Sequence, residues 1–357
     1  MKKLFEPLKI GNIDLKNRIV MAPLTRSRCD PDATPSKLMI EYYRQRASAG
    51  LIIAEATAVT PMGLGYPNTP GIWSESQILA WRKITDAVHE EGGKIVLQIW
   101  HVGRMSDPVY LNGELPVAPS QIAPRGHISL IRPKKKFVVP RELEIVEIQE
   151  IVEEFRKGAE NAMKAGFDGV EIHGANGYLP NQFFNTGSNH RKDSYGGSLE
   201  NRARFMLEIL DAVVTACGAG HVGLHISPQE GEGSMLQSDY ITTLKEYSYL
   251  MEEVNKRKIA FVFIRESFYS SKRFAPELKN IYDGTIILNE DFTPQEAENA
   301  IKNGDADAVA FGQLFISNPD LPHRIMLGSE FNELVPERYY YPPIESGYTD
   351  YPHLASF

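Results

Sequence analysis

The segment from Val146 to His173 reads VEIQEIVEEFRKGAENAMKAGFDGVEIH, and it contains the structural unit that decides the fold. Its first part, Val146–Ala165, has apolar residues three and four positions apart, which is typical of a helix that buries one face. Its last part, Gly169–His173, is a short apolar run of the kind that forms a strand buried on both faces. The segment therefore predicts a helix followed by a buried strand.

The same alternation of helix and strand recurs along the chain. Short runs rich in β-branched residues lie at Arg18–Leu24, Leu51–Thr57, Lys94–Trp100, Gly169–His173, Val222–Ser227, Ile259–Ile264, Thr285–Leu288 and Ala308–Gly312. Segments with helical spacing separate them, at Ser76–Glu91, Val146–Ala165, Leu199–Cys217, Tyr240–Asn255 and Pro294–Asn303. Strands that alternate with helices pair in parallel, and eight of them fit a closed barrel better than an open sheet. We therefore expect an α/β fold of the TIM (β/α)8 barrel class.

Two additions to this barrel are also predicted. Leu4–Lys9 and Ile13–Leu15, joined by a Gly-Asn turn, predict an N-terminal β-hairpin that caps the bottom of the barrel. The third unit is interrupted by a long insert, Val102–Arg141, and long loops in compact domains often cover a site. We expect one barrel domain over residues 1–357, with the insert 102–141 over the active face.

Composition excludes several classes of protein. The net charge of −8 argues against nonspecific binding to nucleic acid. No apolar run approaches the roughly 18 residues of a membrane span, and the N-terminal MKKLFEPLKIG has no apolar run typical of a signal peptide. Cys29 and Cys217 show no paired spacing, which suits a reducing compartment. The sequence predicts a cytoplasmic protein, a monomer or small homo-oligomer, without a nucleic-acid or membrane partner.

Barrel enzymes carry their active sites at the C-terminal ends of the strands, so we expect the catalytic residues at those positions. Polar and aromatic side chains converge there, as is typical of a small-molecule site. They include Thr25 and Arg26 after strand one, Glu55 in strand two, Gln98, Trp100 and His101 in strand three, His173, Asn176 and Tyr178 after strand four, His225 and Ser227 in strand five, Glu290 and Asp291 after strand seven, and Gln313 after strand eight.

The fourth strand has the most informative end. His173 and Asn176 can both direct a hydrogen-bond donor at one oxygen, and Tyr178 offers a proton a short distance away. Two donors that polarise a carbonyl, with a phenol as proton source, suit a reaction that passes through an enolate. A single histidine at a strand end is more often structural, but the combination of all three residues directly after a strand favours catalysis.

Five ordered motifs run nearly from end to end of the chain: NRIVMAPLTR (Asn17–Arg26), QIWHVGR (Gln98–Arg104), EIHGANGYLPNQF (Glu171–Phe183), YGGSLENRARF (Tyr195–Phe205) and GYTDYP (Gly347–Pro352). Together they resemble the motifs of the Old Yellow Enzyme family, whose members are FMN-dependent ene-reductases on a TIM barrel. The resemblance implies an NAD(P)H:flavin oxidoreductase. In such an enzyme NADH or NADPH reduces FMN, and FMN then reduces the C=C bond of an electrophilic alkene in a ping-pong mechanism.

The resemblance also implies roles for individual residues. Four of them match positions around the isoalloxazine ring of the flavin: Pro23, Thr25, Ala56 and Gln98. His173 and Asn176 match the pair that binds the substrate carbonyl, and Tyr178 matches the proton donor. Three aromatic residues match positions that line the substrate pocket: Tyr66, Trp100 and Tyr348.

Four positions depart from the family pattern, and all of them concern the cofactor. His225 stands where an arginine usually reaches the flavin ring, and Gln313 follows Gly312 where an arginine usually binds the FMN phosphate. Glu290 and Asp291 stand in the loop after strand seven, which is normally small and neutral where its main chain meets that phosphate. Glutamine lacks the charge and the two-pronged grip of arginine, and carboxylates repel a phosphate. Two interpretations remain open: either backbone N–H groups still hold the phosphate, or FMN binding is much weakened.

Two alternative functions follow from these observations. The first is a flavin-deficient barrel that binds a ligand or partner without redox turnover, because the departures cluster around one cofactor. The second is a metal-dependent lyase or hydrolase that uses His101, His173 and His225. We favour neither, since the set formed by His173, Asn176 and Tyr178 is intact and the histidines lack a convincing carboxylate partner. No metal site is predicted.

Overall fold

The central feature of the molecule is a closed barrel of eight parallel strands, and the TIM-barrel prediction is confirmed. The computed structural model describes residues 1–229, 235, 239–340 and 344–354. The barrel strands are β1 (Ile19–Met21), β2 (Leu51–Ala58), β3 (Ile95–Trp100), β4 (Gly169–His173), β5 (Val222–Ile226), β6 (Phe261–Arg265), β7 (Thr285–Asn289) and β8 (Ala308–Phe311). Each strand pairs with the next along the chain, and β8 pairs with β1 to close the barrel. All eight predicted runs form barrel strands.

Helices surround the barrel because each buries one apolar face against the strands. They are α1 (Lys37–Arg44), α2 (Glu75–Glu90), α3 (Ile145–Lys164), α4 (Leu179–Phe184), α5 (Leu199–Cys217), α6 (Tyr240–Arg257), α7 (Ala275–Lys279), α8 (Pro294–Asn303), α9 (Gln313–Ser317) and α10 (Leu321–Leu327). Thr293 caps α8 in a capping box with Glu296, as its Thr-Pro start indicates. In the described part of the chain, no helix has the length and apolarity that crossing a bilayer requires.

The N-terminal hairpin closes the bottom of the barrel, but it is shorter than predicted. Its strands are Leu8–Ile10 and Ile13–Leu15, and their buried side chains pack in the same cluster as the barrel interior. The predicted first strand began at Leu4, which was wrong, because Lys3–Phe5 form a 3₁₀ helix. The reason is a distant carboxylate: Glu298 accepts hydrogen bonds from the backbone N–H groups of residues 2, 3 and 4.

The long insert is held at its base by a short parallel pair of strands, Val117–Ala118 and Arg141–Glu142. Within it, a single bridge joins His127 to Lys136. Lys135 forms a salt bridge of 2.7 Å with Asp107, whose side chain is fully buried. These contacts tie the middle of the insert to its first part. Further 3₁₀ turns lie at Pro61–Gly63, Ala219–His221 and Pro336–Arg338.

Candidate active site

A cleft of two adjoining cavities opens at the C-terminal end of the barrel strands. The first cavity has a volume of about 530 Å³, and the residues predicted for the flavin ring and the substrate line it: Pro23, Thr25, Ala56, Tyr66, Gln98, Trp100, His173, Asn176 and Tyr178. The second cavity has a similar volume, and the predicted phosphate-side residues line it: Glu290, Asp291, Gly312 and Gln313. His225, which was predicted beside the flavin ring, also lines this second cavity. Pro23, Leu24, Asn176 and Tyr340 line both cavities, so the two are parts of one cleft.

A row of aromatic rings forms one wall of the first cavity. The ring of Tyr66 stacks on Trp100 with 5.6 Å between centroids, and Tyr178 meets both Trp100 and His173 edge-on at 4.8 Å. His173 then stacks on His225 at 4.9 Å, with the two ring planes almost parallel. The row follows from parallel pairing, because the register places His173 opposite His225 on the neighbouring strand. Packing on both sides therefore fixes the orientation of His173.

Tyr178 is positioned by the start of a helix. It is the N-cap residue of α4, and its carbonyl accepts the backbone N–H of Gln182 at 2.8 Å. Its hydroxyl lies 2.9 Å from the hydroxyl of Tyr66, and either group can be the donor. The phenol therefore stands in the cavity wall with a second hydroxyl beside it.

The two stacked histidines, His173 and His225, are neutral at pH 7. Burial lowers the pKa of His173 well below its usual range, and the positive charge of Arg265, with that of His225 whenever His225 is protonated, acts in the same direction. Burial, with the charge of Arg265, lowers the pKa of His225 to about 3. The Gln98 amide nitrogen lies 3.0 Å from His225 Nδ1. Because an amide N–H donates, we assign the proton of His225 to Nε2.

Asn176 has a backbone conformation that few residue types adopt without strain. Its φ of 57° lies in the left-handed region, which asparagine tolerates better than most residues, and glycine follows it. Its backbone N–H donates to the Ser227 hydroxyl at 2.9 Å, and its side-chain oxygen accepts from Arg265 Nη1 at 3.0 Å. Because the oxygen is engaged, the side-chain NH₂ is the group of Asn176 that can donate to a ligand.

A buried carboxyl group lies beside the ring-contact residues. Glu171 is fully buried, and its Oε2 accepts from Gln98 Nε2 at 2.6 Å. Burial raises the pKa of Glu171 to about 8, although the hydrogen bond from Gln98 opposes this shift. Glu171 is therefore mostly protonated at neutral pH, and it adds little negative charge to the site.

This raised pKa predicts a pH dependence of stability. The folded chain holds the Glu171 proton up to a pH of about 8, whereas the ordinary pKa of a glutamate is 4.5. The contribution of this proton to the free energy of unfolding is therefore complete below pH 4.5 and is lost as the pH rises to about 8. We expect Glu171→Gln to remove a slope of up to about 1.4 kcal/mol per pH unit in the free energy of unfolding. Glu55, whose pKa burial raises to about 7, contributes a slope of the same sign that stays.

Urea unfolding of the unaltered chain and of Glu171→Gln, at several pH values between 5 and 8, measures the slope of the free energy of unfolding against pH. Glu150→Gln, a change at an exposed helix residue, is the matched control and should leave the slope as in the unaltered chain. An equal slope in Glu171→Gln and the unaltered chain would show that Glu171 is ionised in the fold.

The prediction for Tyr348 needs correction. Tyr348 is fully buried, stacks on Tyr42 at 4.0 Å and lies near the guanidinium groups of Arg26 and Arg28. It is not among the described residues that line either cavity, whereas Tyr340 lines both. A buried cationic cluster therefore holds Tyr348, and Tyr340 is the C-terminal aromatic at the cleft.

The hypothesis of a metal-dependent enzyme has no structural basis within the described residues. These contain no group of three or more His, Cys, Asp or Glu side chains placed to hold a metal ion. His101 is fully buried, and its Nδ1 accepts the backbone N–H of Gly103 at 3.0 Å. Burial lowers the pKa of His101 to about 3. This histidine serves the turn at the start of the insert.

Comparison with known proteins places the chain in a family. Residues 3–332 match the model of the NADH:flavin oxidoreductase / NADH oxidase family. The chain belongs to this family. Among its relatives, 12-oxophytodienoate reductase 7 of Oryza sativa subsp. japonica is 39% identical, covering 99% of this chain and 95% of that protein. A probable flavin mononucleotide-dependent alkene reductase of Leishmania infantum is 41% identical, covering 98% and 97%.

The fold of a solved relative agrees over the full length. The old yellow enzyme homologue from Zymomonas mobilis superimposes with a TM-score of 0.94 at 40% sequence identity, and the match covers 98% of this chain and 99% of that one. The chain is therefore an oxidoreductase of the NADH:flavin oxidoreductase family, with the barrel fold of its solved relative.

One cleft residue of this family member was missed from the sequence. Arg265 ends β6, and its guanidinium lines the second cavity, bonded to Asn176 and to the Glu290 carboxylate at 3.0 and 3.2 Å. The predicted sixth strand stopped at Ile264, one residue before Arg265, which is the last residue of the strand in the structure. A charged residue directly after the apolar run FVFI was the indication available in the sequence.

The first cavity fits a flat polar ring. Buried polar atoms at the cleft have no hydrogen-bond partner among the described residues: Trp100 Nε1 and His173 Nδ1 of the first cavity, His225 Nε2 of the second, and Glu171 Oε1 beside Gln98. Unpaired buried polar groups are rare, so a cluster of them at one cleft indicates a polar bound molecule. Together with the residues that line this cavity, these atoms fit the isoalloxazine ring of a flavin. The second cavity instead presents two carboxylates where a phosphate would lie.

Proposed function

We propose that this chain is an FMN-dependent ene-reductase, which reduces the activated C=C bond of small α,β-unsaturated carbonyl compounds or related electrophilic alkenes with NADH or NADPH. The observation that carries the proposal is the convergence of His173, Asn176 and Tyr178 on one cavity, beside the predicted ring-contact residues. The names of the relatives support it, since one is a probable flavin mononucleotide-dependent alkene reductase and another is a 12-oxophytodienoate reductase.

When bound, FMN supplies hydride transfer, and the chain supplies binding, orientation and the proton. We assign Pro23, Thr25, Ala56 and Gln98 to the ring and the residues of the second cavity to the remainder of the cofactor. His225, with its proton on Nε2, offers the ring a neutral donor.

Two donors hold the substrate carbonyl in this proposal. The NH₂ group of Asn176 is directed by the bond from Arg265 to its oxygen, and His173 is held by ring packing on both sides. Such fixed donors stabilise the negative charge that develops on the carbonyl oxygen during reduction. Because His173 is neutral, it can donate from one nitrogen without bringing a full charge into the cavity.

The Tyr178 hydroxyl delivers the proton to the α-carbon of the alkene. The Tyr66 hydroxyl, 2.9 Å away, is placed to stabilise the phenolate that remains and to pass a proton back. This gives Tyr66 a supporting role in addition to its place in the pocket wall.

The insert contributes the basic rim of the first cavity. His127, Arg132 and Lys134 line this cavity, and its described lining contains no carboxylate. A positive rim attracts anionic reactants, and NADH and NADPH are both polyanions. We propose that the insert guides the nicotinamide cofactor to the cleft and shapes the choice of substrate.

The proposal extends to location and assembly. We propose a cytoplasmic enzyme, monomeric or a small homo-oligomer, whose partners are small molecules. The two cysteines, Cys29 and Cys217, are both free thiols in the structure, which suits a reducing compartment. We do not favour the flavin-deficient alternative, because the residues proposed for the flavin ring and for catalysis all line the first cavity.

The test is the position of the transferred hydrogen in the product. The chain, supplied with FMN, is given 2-cyclohexenone and a nicotinamide cofactor that carries deuterium on its reactive carbon. We expect cyclohexanone with deuterium on the β-carbon, and no β-deuterium when only the solvent is deuterated. Recovery of unreduced enone, or β-deuterium from the solvent, would rule out this function.

Replacing Arg265 tests whether this residue, which the sequence analysis did not place at the cleft, contributes to flavin binding. In Arg265→Met, the side-chain oxygen of Asn176 loses its hydrogen-bond donor. The carboxylate of Glu290 loses its ion-pair partner beside the proposed cofactor site. We expect the Kd for FMN, measured by quenching of flavin fluorescence, to rise about tenfold, because roughly 1.4 kcal/mol is lost with one charged partner. Arg257→Met, which removes a pair with Asp211 on the surface, is the control. Equal Kd values in both variants would exclude a role for Arg265 in the site.

A further inference from the structure

The second cavity has an unusual balance of charge for a phosphate site. Its described lining contains two carboxylates, Glu290 and Asp291, and one permanent cation, Arg265. His225 also lines it, but the burial that lowers its pKa to about 3 leaves it neutral. These lining groups therefore bring a net negative charge before any ligand enters.

The one cation is already engaged within the chain. Arg265 forms two hydrogen bonds with the Glu290 carboxylate and one with the side-chain oxygen of Asn176. If Arg265 turned to a phosphate, it would leave Glu290 unpaired and release the amide that is proposed to bind substrate. Gln313, at the start of α9, carries no charge with which to replace it.

The two carboxylates are held at the cavity and are not simply directed into water. Glu290 is fixed by Arg265, and Asp291 accepts a hydrogen bond of 2.6 Å from the Ser267 hydroxyl, although its residue is exposed overall. Asp291 has a φ of 61°, in the left-handed region that aspartate, like asparagine, tolerates better than most residues. The loop therefore keeps an acidic side chain at a position that glycine could also occupy.

These groups suit hydroxyls better than phosphate. A carboxylate accepts hydrogen bonds from neutral hydroxyl groups, whereas it repels a phosphate dianion across the same distance. A glutamine amide can likewise bond to a hydroxyl without a charge. The ribityl chain of a flavin carries hydroxyls, and only its terminal group distinguishes riboflavin from FMN.

We infer that the second cavity gives the terminal phosphate no net affinity, so that riboflavin binds at least as tightly as FMN. This inference rests on the proposed flavin-dependent function and concerns only which flavin the chain selects. The ring, and hence the chemistry at His173 and Tyr178, is the same for both molecules.

The direct test is a titration of the flavin-free chain with FMN and with riboflavin, followed by fluorescence quenching at low and at high salt. We expect a Kd for riboflavin equal to or below that for FMN, and a Kd for FMN that falls as salt screens the repulsion. A Kd for FMN at least tenfold below that for riboflavin overturns the inference and leaves the proposed function intact. Failure of both flavins to bind overturns the proposed function as well.

Variants of the second cavity test whether its two carboxylates are what opposes binding of the phosphate. The triple change Glu290→Gly, Asp291→Gly and Gln313→Arg should lower the Kd for FMN at least tenfold and should not lower the Kd for riboflavin, which loses acceptors for its hydroxyls. Glu290→Gln with Asp291→Asn removes the two charges with little change of shape, and should give a smaller gain for FMN alone. The control, Glu277→Gln with Asp283→Asn, removes two exposed carboxylates outside the cleft. An equal gain for FMN in the control would assign the effect to overall charge and contradict the inference.

Discussion

Replacement of Tyr178 by phenylalanine is expected to slow alkene reduction about 10²- to 10³-fold, while reduction of the bound flavin by NADH or NADPH stays within about twofold. Only the alkene half of the cycle needs a proton on carbon, so the loss should be confined to that half. The ring of phenylalanine keeps the edge-on contacts with Trp100 and His173, so the shape of the cavity is preserved. Rapid-mixing measurements of each half-reaction separate the two effects.

Two further tyrosine variants make this result decisive. Tyr269→Phe changes an exposed tyrosine outside the cleft and should have no effect on either half-reaction. Tyr66→Phe removes the neighbouring hydroxyl and should slow the alkene half-reaction less than Tyr178→Phe does. If Tyr66→Phe gave the larger loss, the proton donor would be Tyr66 and the assignment of Tyr178 would be wrong.

Replacement of His173 by alanine is expected to slow both half-reactions, each by about a hundredfold, as removal of a preorganised donor typically does. The first cavity lies over the proposed ring position, and both the nicotinamide and the alkene must enter it to reach the flavin. Each presents a carbonyl group to the same pair of donors, so loss of one donor affects both. This pattern distinguishes carbonyl binding from proton donation by Tyr178.

Two control variants separate the loss of the hydrogen-bond donor of His173 from other effects of the substitution. His173→Gln keeps a side-chain donor and should recover part of the lost rate, whereas His190→Ala, at an exposed position after α4, should behave as the unaltered chain. A loss in His173→Ala limited to the alkene half-reaction would mean that the nicotinamide does not use this donor.

The barrel could be predicted from sequence because its information is local. Each strand is a short buried run, and each major helix has its own apolar period, as in the pair formed by α3 and β4. The 3₁₀ helix at Lys3–Phe5 could not be predicted, because Glu298, the carboxylate that fixes it, lies almost the whole chain away. The local pattern of Leu4 and its neighbours is compatible with a strand until that partner is known.

The candidate site was predicted residue by residue, but not its pairing. The contact of Tyr66 with Tyr178 spans 112 residues, and that of Arg265 with Asn176 spans 89. Tyr348 was misplaced because the motif GYTDYP indicates only that an aromatic residue lies near the cleft. It does not show that Arg26 and Arg28 hold the buried ring of Tyr348, or that Tyr340 lines the cleft. The charge of Arg265 at the end of β6 is visible in the sequence, but its bonds to Asn176 and Glu290 are not.

The most direct test of the central claim is an anaerobic two-step experiment with the flavin-loaded chain. In the first step NADPH or NADH is added without an alkene, and in the second step 2-cyclohexenone is added while the visible absorbance of the flavin is followed. A flavin-dependent ene-reductase predicts loss of that absorbance in the first step and its full return in the second, with one equivalent of saturated ketone formed. Absorbance that is unchanged by either nicotinamide cofactor, or that does not return with the enone, would contradict the assignment.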